Sequence, residues 1–148
     1  MLHALLLATA LSAQRPADVH ASEARAASAL LRTLNAERRR EGDAPLALDP
    51  QLGAAALEHV ADMARRQYFE HTSPSGVTPF ERMRRYGCEF TYAAENIALA
   101  GDAAQADSAL FKSAPHRMNT LNPRFTRVGI AVTYAADGRM LFVEDFAG

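Results

Sequence analysis

A single cysteine, Cys88, stands in a chain of 148 residues. It has no partner for an internal disulfide and cannot build a multi-cysteine metal site, so it reads as a small apolar side chain. Charge of one sign is also lacking: 16 Lys and Arg against 17 Asp and Glu leave a net charge of -1. A nucleic-acid partner is therefore not expected, because neutralising phosphates calls for a basic stripe. Lysine itself is nearly missing, Lys112 being the only one, a bias of composition from which no function is drawn. The apolar run from Leu2 to Ala13 is too short for a transmembrane span, which needs about twenty residues. Internal repeats and low-complexity tracts are absent. So are the motifs G-x-S-x-G, G-x-G-x-x-G, the P-loop and H-E-x-x-H.

What is present describes one ordinary domain, 49% hydrophobic and 22% charged. The Leu2–Ala13 run suits the apolar region of a secretory signal, with Ala8-Thr9-Ala10 and Ala13 as candidate cleavage positions. No Lys or Arg precedes it, and the competing reading is an apolar helix packed on the core. The expectation is a signal over residues 1–13, a linker over 14–21 and one domain over 22–148, placed outside the cytoplasm, secreted or periplasmic.

Ser22 is a plausible N-cap for a helix to about Arg40, with Ala27, Leu30, Leu31 and Leu34 on its apolar stripe. A short extended segment follows at Leu46 to Leu48. Asp49-Pro50 then opens a helix with Leu52, Ala56, His59 and Met63 along one face, ending near Tyr68-Phe69. Ser73-Pro74-Ser75-Gly76 has type I turn chemistry. Thr78 to Glu81 is a capping box that starts a short helix stopped by Gly87. Glu89 to Ala100 fits a strand or a mixed segment, and Gly101-Asp102 begins a helix through Lys112. Pro115 reads as a break, leaving His116 and Arg117 on irregular backbone. Two period-two patterns flank the turn dipeptide Asp137-Gly138, giving a hairpin of Val128–Tyr134 and Met140–Phe146. Helices first and an antiparallel pair last make the class α+β.

Three polar residues stand at element ends: His71, Glu95 and His116. Two imidazoles and a carboxylate could ligate zinc or a similar divalent ion, or act as general acid and base. Their separations of 24 and 21 residues do not require them to meet. His59, on a largely apolar face, is expected to be a hydrogen-bonded core histidine. Ser113, near a helix end, is expected to bond to nearby backbone rather than act as a nucleophile.

The stretches LLRTLNAERRREGDAPLALDPQLGAAALEHVADMARRQYFEHTSPSGVTPFERM, AENIA, SAPHRMNTLNPRFTRVGIAV and FVEDFAG occur in this order. Together they resemble the CAP superfamily, also called SCP-like, and most closely its short bacterial branch without disulfides. The resemblance implies a three-layer α-β-α sandwich with a central antiparallel sheet and a cavity of two histidines and two acidic residues. His71, Glu95 and His116 match three of the four by motif. The second glutamate of animal and plant members falls at about Ser113, and a common tryptophan falls at Leu110. The cavity expected is therefore His71, Glu95, His116 and Ser113, with His71, Glu95 and His116 as weak ligands for zinc or another divalent cation. An exported ligand-binding or interaction module is implied, its partner a small apolar ligand or a cell-surface molecule. The alternatives are a metal-assisted hydrolase using the same trio and a structural envelope protein with a polar core cluster. With no complete catalytic signature, enzyme activity is the less favoured expectation.

Overall fold

The computed structural model describes residues 16–148; the expected signal sequence and Gln14-Arg15 of the expected linker lie outside the described residues. Helix α1 spans Pro16–Glu41. Residues 16–21 are already helical, so they are not a linker. Ser22 lies inside the helix rather than at its cap, with its Oγ 2.9 Å from the Tyr134 hydroxyl.

Strand β1 is the dipeptide Ala47–Leu48, and α2 spans Pro50–Arg66. Asp49 caps α2, accepting from the N–H groups of Gln51 and Leu52, and Gln67 closes it in the left-handed region at φ 55°. The capping box at Thr78 forms and starts α3, Pro79–Arg85. The ambiguous segment resolves into β2, Ala93–Ala100, and α4 follows at Ala103–Lys112 under an Asp102 cap. Residues Ala114–Thr120 form a further helix, α5. The expected break at Pro115 is thus a start: in the first turn a missing N–H removes no bond, and His116 and Arg117 are helical. Strands β3, Arg127–Tyr134, and β4, Met140–Ala147, form the expected hairpin.

The sheet order is β1-β3-β4-β2. The long strands are antiparallel, but β1 runs parallel to β3, so the sheet is mixed rather than wholly antiparallel. Side-chain alternation gives each face its own helical layer. Ala98, Ala100, Val132, Met140 and Phe142 pack against α1 and α4 through Leu30, Ala106 and Leu110. Ile97, Ala131, Leu141 and Val143 pack against α2 through Ala56, Val60 and Met63. The result is the three-layer α-β-α sandwich. Cys88 is buried beside Met83 and Leu52, as a core side chain. Among the described residues no helix is long and apolar enough to cross a membrane.

Candidate functional site

The alternation that builds the core also sorts the polar residues. Glu95 and Asn96 are neighbours on β2 and therefore point to opposite faces. Across the ladder they lie opposite Asp145 and Glu144 of β4. Each face of the sheet thus receives one buried acid from the central strand: Asp145 on the α2 side and Glu144 on the α1 side.

On the α2 side Glu95 is almost fully enclosed. Its Oε2 accepts from Arg82 Nη2 at 2.8 Å, and its Oε1 accepts from His71 Nδ1 at 2.8 Å. Arg82 Nη2 also donates to the His71 carbonyl at 2.8 Å, and Nη1 to the Val77 carbonyl at 3.1 Å. One guanidinium from α3 therefore fastens both ends of the 71–77 segment to β2. The His71 side chain remains 47% exposed. Its Nδ1–H serves Glu95, which leaves Nε2 as the ring nitrogen free for a ligand.

His59 lies beneath, buried in α2 as expected, with Nε2 3.7 Å from Glu95 Oε1 and Nδ1 3.4 Å from the Tyr68 hydroxyl. Burial lowers its pKa, and the Glu95 charge only partly opposes this. The Tyr68 hydroxyl donates to Asp62 at 2.8 Å; burial and that bond push its pKa up to about 12. Asp145 faces Glu95 across the ladder, and burial, then the Glu95 charge, hold its pKa well above the ordinary carboxyl value. His59 Nε2, Arg82 Nε and both Asp145 oxygens are buried without a hydrogen-bond partner. Unmatched polar atoms gathered round one carboxylate are the setting in which bound water or a polar ligand atom is stabilised.

On the other side, buried Glu144 accepts from Asn96 Nδ2 at 3.0 Å. Asn96 Nδ2 also donates to the His116 carbonyl at 3.2 Å, and Asn96 Oδ1 accepts from Asn119 Nδ2 at 2.9 Å. Asn96 thereby anchors α5 to the sheet and places His116. Ser113, the N-cap residue of α5, makes no side-chain capping bond; its Oγ lies instead 2.7 Å from His116 Nδ1. Burial lowers the His116 pKa, and the neighbouring His71 adds to the effect.

The structure brings His71 and Glu95 into contact, and it pairs His116 with Ser113. Among the described residues no three His, Cys, Asp or Glu side chains gather as a metal ion requires. Both Glu95 oxygens are already engaged, one of them by a guanidinium, so a fixed cation sits where a second would have to bind. As arranged, these residues do not fit a divalent ion. Arg117 lies over the Phe111 ring, 5.8 Å from its centre.

Sequence reasoning missed Arg82, Asp145 and Glu144. The last two carried a signal, two adjacent acids inside the apolar run Phe142-Val143 … Phe146, while Arg82 is hidden among many arginines. The largest opening nearby, about 590 Å³, runs between α2, the 73–77 turn and α3. Its floor includes His59 and Arg82, and its rim carries Asp62, Arg65, Arg66 and Arg85. Ala54, Leu57, Ala61 and Val77 add apolar surface between these charged groups.

Residues 31–146 match the cysteine-rich secretory protein family, CAP. The chain is 36% identical over 115 residues to the YkwD protein of Bacillus subtilis (strain 168), a match covering 77% of this chain and 44% of that protein. It also superimposes on an extracellular protein containing an SCP domain from Bacillus anthracis (strain Ames), with TM-score 0.83 and 29% identity. That match covers 91% of this chain and 44% of the other, so this chain spans less than half the length of both relatives. An outer surface protein of Borrelia burgdorferi shares the fold, with TM-score 0.75, 22% identity and coverage of 81% of this chain and 90% of the other.

Proposed function

Since the chain belongs to the cysteine-rich secretory protein (CAP) family, we propose that it is an exported module that binds a ligand or partner through His71, Glu95, His116 and Ser113. The observation that carries this reading is the Arg82–Glu95–His71 assembly. A buried ion pair fixes Glu95, Glu95 fixes the His71 ring, and the ring is left half exposed with one nitrogen unused. A side chain held from behind and open in front is prepared for recognition. Burial keeps His116 neutral near physiological pH, so it can accept as well as donate. Placement outside the cytoplasm is supported by the match to the extracellular SCP-domain protein of Bacillus anthracis.

The test is a ligand screen read by thermal shift, using envelope glycans, peptides and lipids against the wild type and a His71→Ala/His116→Ala variant. Compounds of the recognised class raise the wild-type midpoint and leave the variant unmoved. If every stabilising compound acts equally on both proteins, these residues are not the binding site and the polar cluster is structural.

A further inference from the structure

Glu144 is an acid set into an apolar layer. It is 2% exposed, and its neighbours on the same face of β4 are Phe142 and Phe146. Phe142 packs with Leu30 of α1, and Phe146 with Leu34 of the same helix. Beside Glu144 in the ladder stand Asn96 of β2 and Ile130 of β3, both uncharged. The adjacent acid, Asp145, points to the opposite face. The charged group that Glu144 meets is Asp107 of α4. Helix α4 is buried through Ala106 and Leu110. Asp107 follows the first and lies three residues before the second, so it stands at the edge of the packed face, half-buried.

Two routes lead from Glu144 to one place. The first runs through Asn96, whose Nδ2 donates to Glu144 Oε2 at 3.0 Å and to the His116 carbonyl at 3.2 Å. Asn119 Nδ2 donates to Asn96 Oδ1 at 2.9 Å, so α5 is tied to the sheet twice. The second runs through Asp107 to α4. The two helices meet at Ser113, which ends α4 and begins α5. At that joint Ser113 Oγ lies 2.7 Å from His116 Nδ1.

We infer that Glu144 is a proton switch for the α4–α5 corner: protonated, it lets α4 rest on the sheet; ionised, it repels Asp107 and shifts α4 against α5 at Ser113. A carboxylate in apolar surroundings is costly, and a like charge opposite makes it more so. Moving a half-buried Asp107 toward water relieves both. The Asn96 bond acts the other way, because a hydrogen bond to an ionised acceptor is shorter and about twice as strong. The sheet therefore keeps α5 while α4 is pushed from it, and the strain falls on Ser113 and its contact with His116. Burial raises the Glu144 carboxyl to about 7, against the pull of the Asn96 bond and with the push of Asp107. The proton is held below that value and released above it, so both states are populated around neutrality. The consequence for binding rests on the function proposed above, which assigns Ser113 and His116 to the site. The switch itself is read on the unliganded protein, so a failed ligand screen leaves it standing.

The experiment is a pH titration of the isotope-labelled full chain by NMR, following the Glu144 carboxyl carbon and the backbone amides of α4 and α5. The carboxyl carbon should titrate near 7, and the amides of Asp107, Leu110, Ser113 and His116 should move with the same midpoint. Glu144→Gln should abolish that transition and hold those amides at their low-pH positions. The His116 ring, whose own pKa burial lowers, still titrates in this variant and is separated in that way. Asp107→Asn keeps the acid and removes the facing charge, so the Glu144 midpoint should fall and the α4 movement should shrink. Amide movement that persists in Glu144→Gln would overturn the assignment to Glu144. A Glu144 titration that the α4 amides do not follow, or a midpoint unchanged in Asp107→Asn, would overturn the coupling to α4.

Discussion

Arg82 Nη2 lies 2.8 Å from Glu95 Oε2, and neither side chain is more than 2% exposed. The same guanidinium holds the carbonyls of His71 and Val77. It is therefore the joint between the sheet, α3 and the segment carrying His71. Removing one partner of a buried pair leaves the other charge without compensation, at about 3–5 kcal/mol. Arg82→Ala should lose that much in urea unfolding. Arg82→Lys should recover only a small part, because a single ammonium cannot reproduce a planar fork that meets three acceptors. A loss below about 1 kcal/mol for the alanine variant would show that the joint is not structural.

Glu144 sets a pH dependence of opposite character. Burial raises its carboxyl to about 7, while the Asn96 hydrogen bond pulls it down and Asp107 pushes it up. The unfolded value is near 4.5. Between those values the native state holds a proton that the unfolded chain has lost, so stability falls as pH rises through the window. Glu144→Gln is neutral throughout and can still accept from Asn96 through its amide oxygen. Wild type and variant should have matched stabilities near the lower end. Near pH 8 the variant should be the more stable, by up to about 3 kcal/mol. Asp145 adds a slope of the same sign to both proteins and drops out of the difference. Urea midpoints across this range check it, and a constant difference at all pH values would contradict the assignment.

How far the sequence could be read depended on whether the deciding contact was local. Asp49-Pro50 and the Thr78–Glu81 box announce α2 and α3 because the bonds that start a helix lie within four residues. Ser22 looks like a cap but lies inside α1, its hydroxyl beside that of Tyr134 far along the chain. Pro115 can either end or begin a helix, and only its first-turn position decides. Ala93–Ala100 is rich in alanine, a helix former, and is a strand because β4 lies beside it. At the site, His71 and Glu95 stood out by motif, but the bond between them joins residues 24 apart and is not dictated by any local rule. Arg82 could not be singled out, since nothing local marks which arginine turns inward.

Zinc provides a third test. Both oxygens of the Glu95 carboxylate already accept a hydrogen bond, and Arg82 contributes a permanent positive charge beside it. Calorimetry with micromolar zinc should give no binding heat in the wild type and none in His71→Ala/His116→Ala. Micromolar binding that disappears in the double variant would mean that Arg82 swings away and that His71, Glu95 and His116 converge after all.

Gly129 tests the packing that holds α2 against the sheet. It sits opposite Asp145 on β4, where α2 comes closest to the strands. A Cβ built there would lie 2.1 Å from the Leu52 carbonyl carbon and 2.2 Å from Gly53 N. These are backbone atoms of a helix, so no rotamer change can make room. Gly129→Ala must push α2 outward, and α2 carries His59 on the face turned toward Glu95. Overpacking typically costs 1–3 kcal/mol, and a backbone clash belongs at or above the upper end, about 3 kcal/mol. The control is Gly76→Ala, at a surface turn with φ 85° where a Cβ meets no atom within 4 Å; its cost should come from the left-handed backbone alone, about 1 kcal/mol. If urea unfolding ranks Gly76→Ala as the more damaging of the two, then α2 does not press on β3 as closely as these distances require.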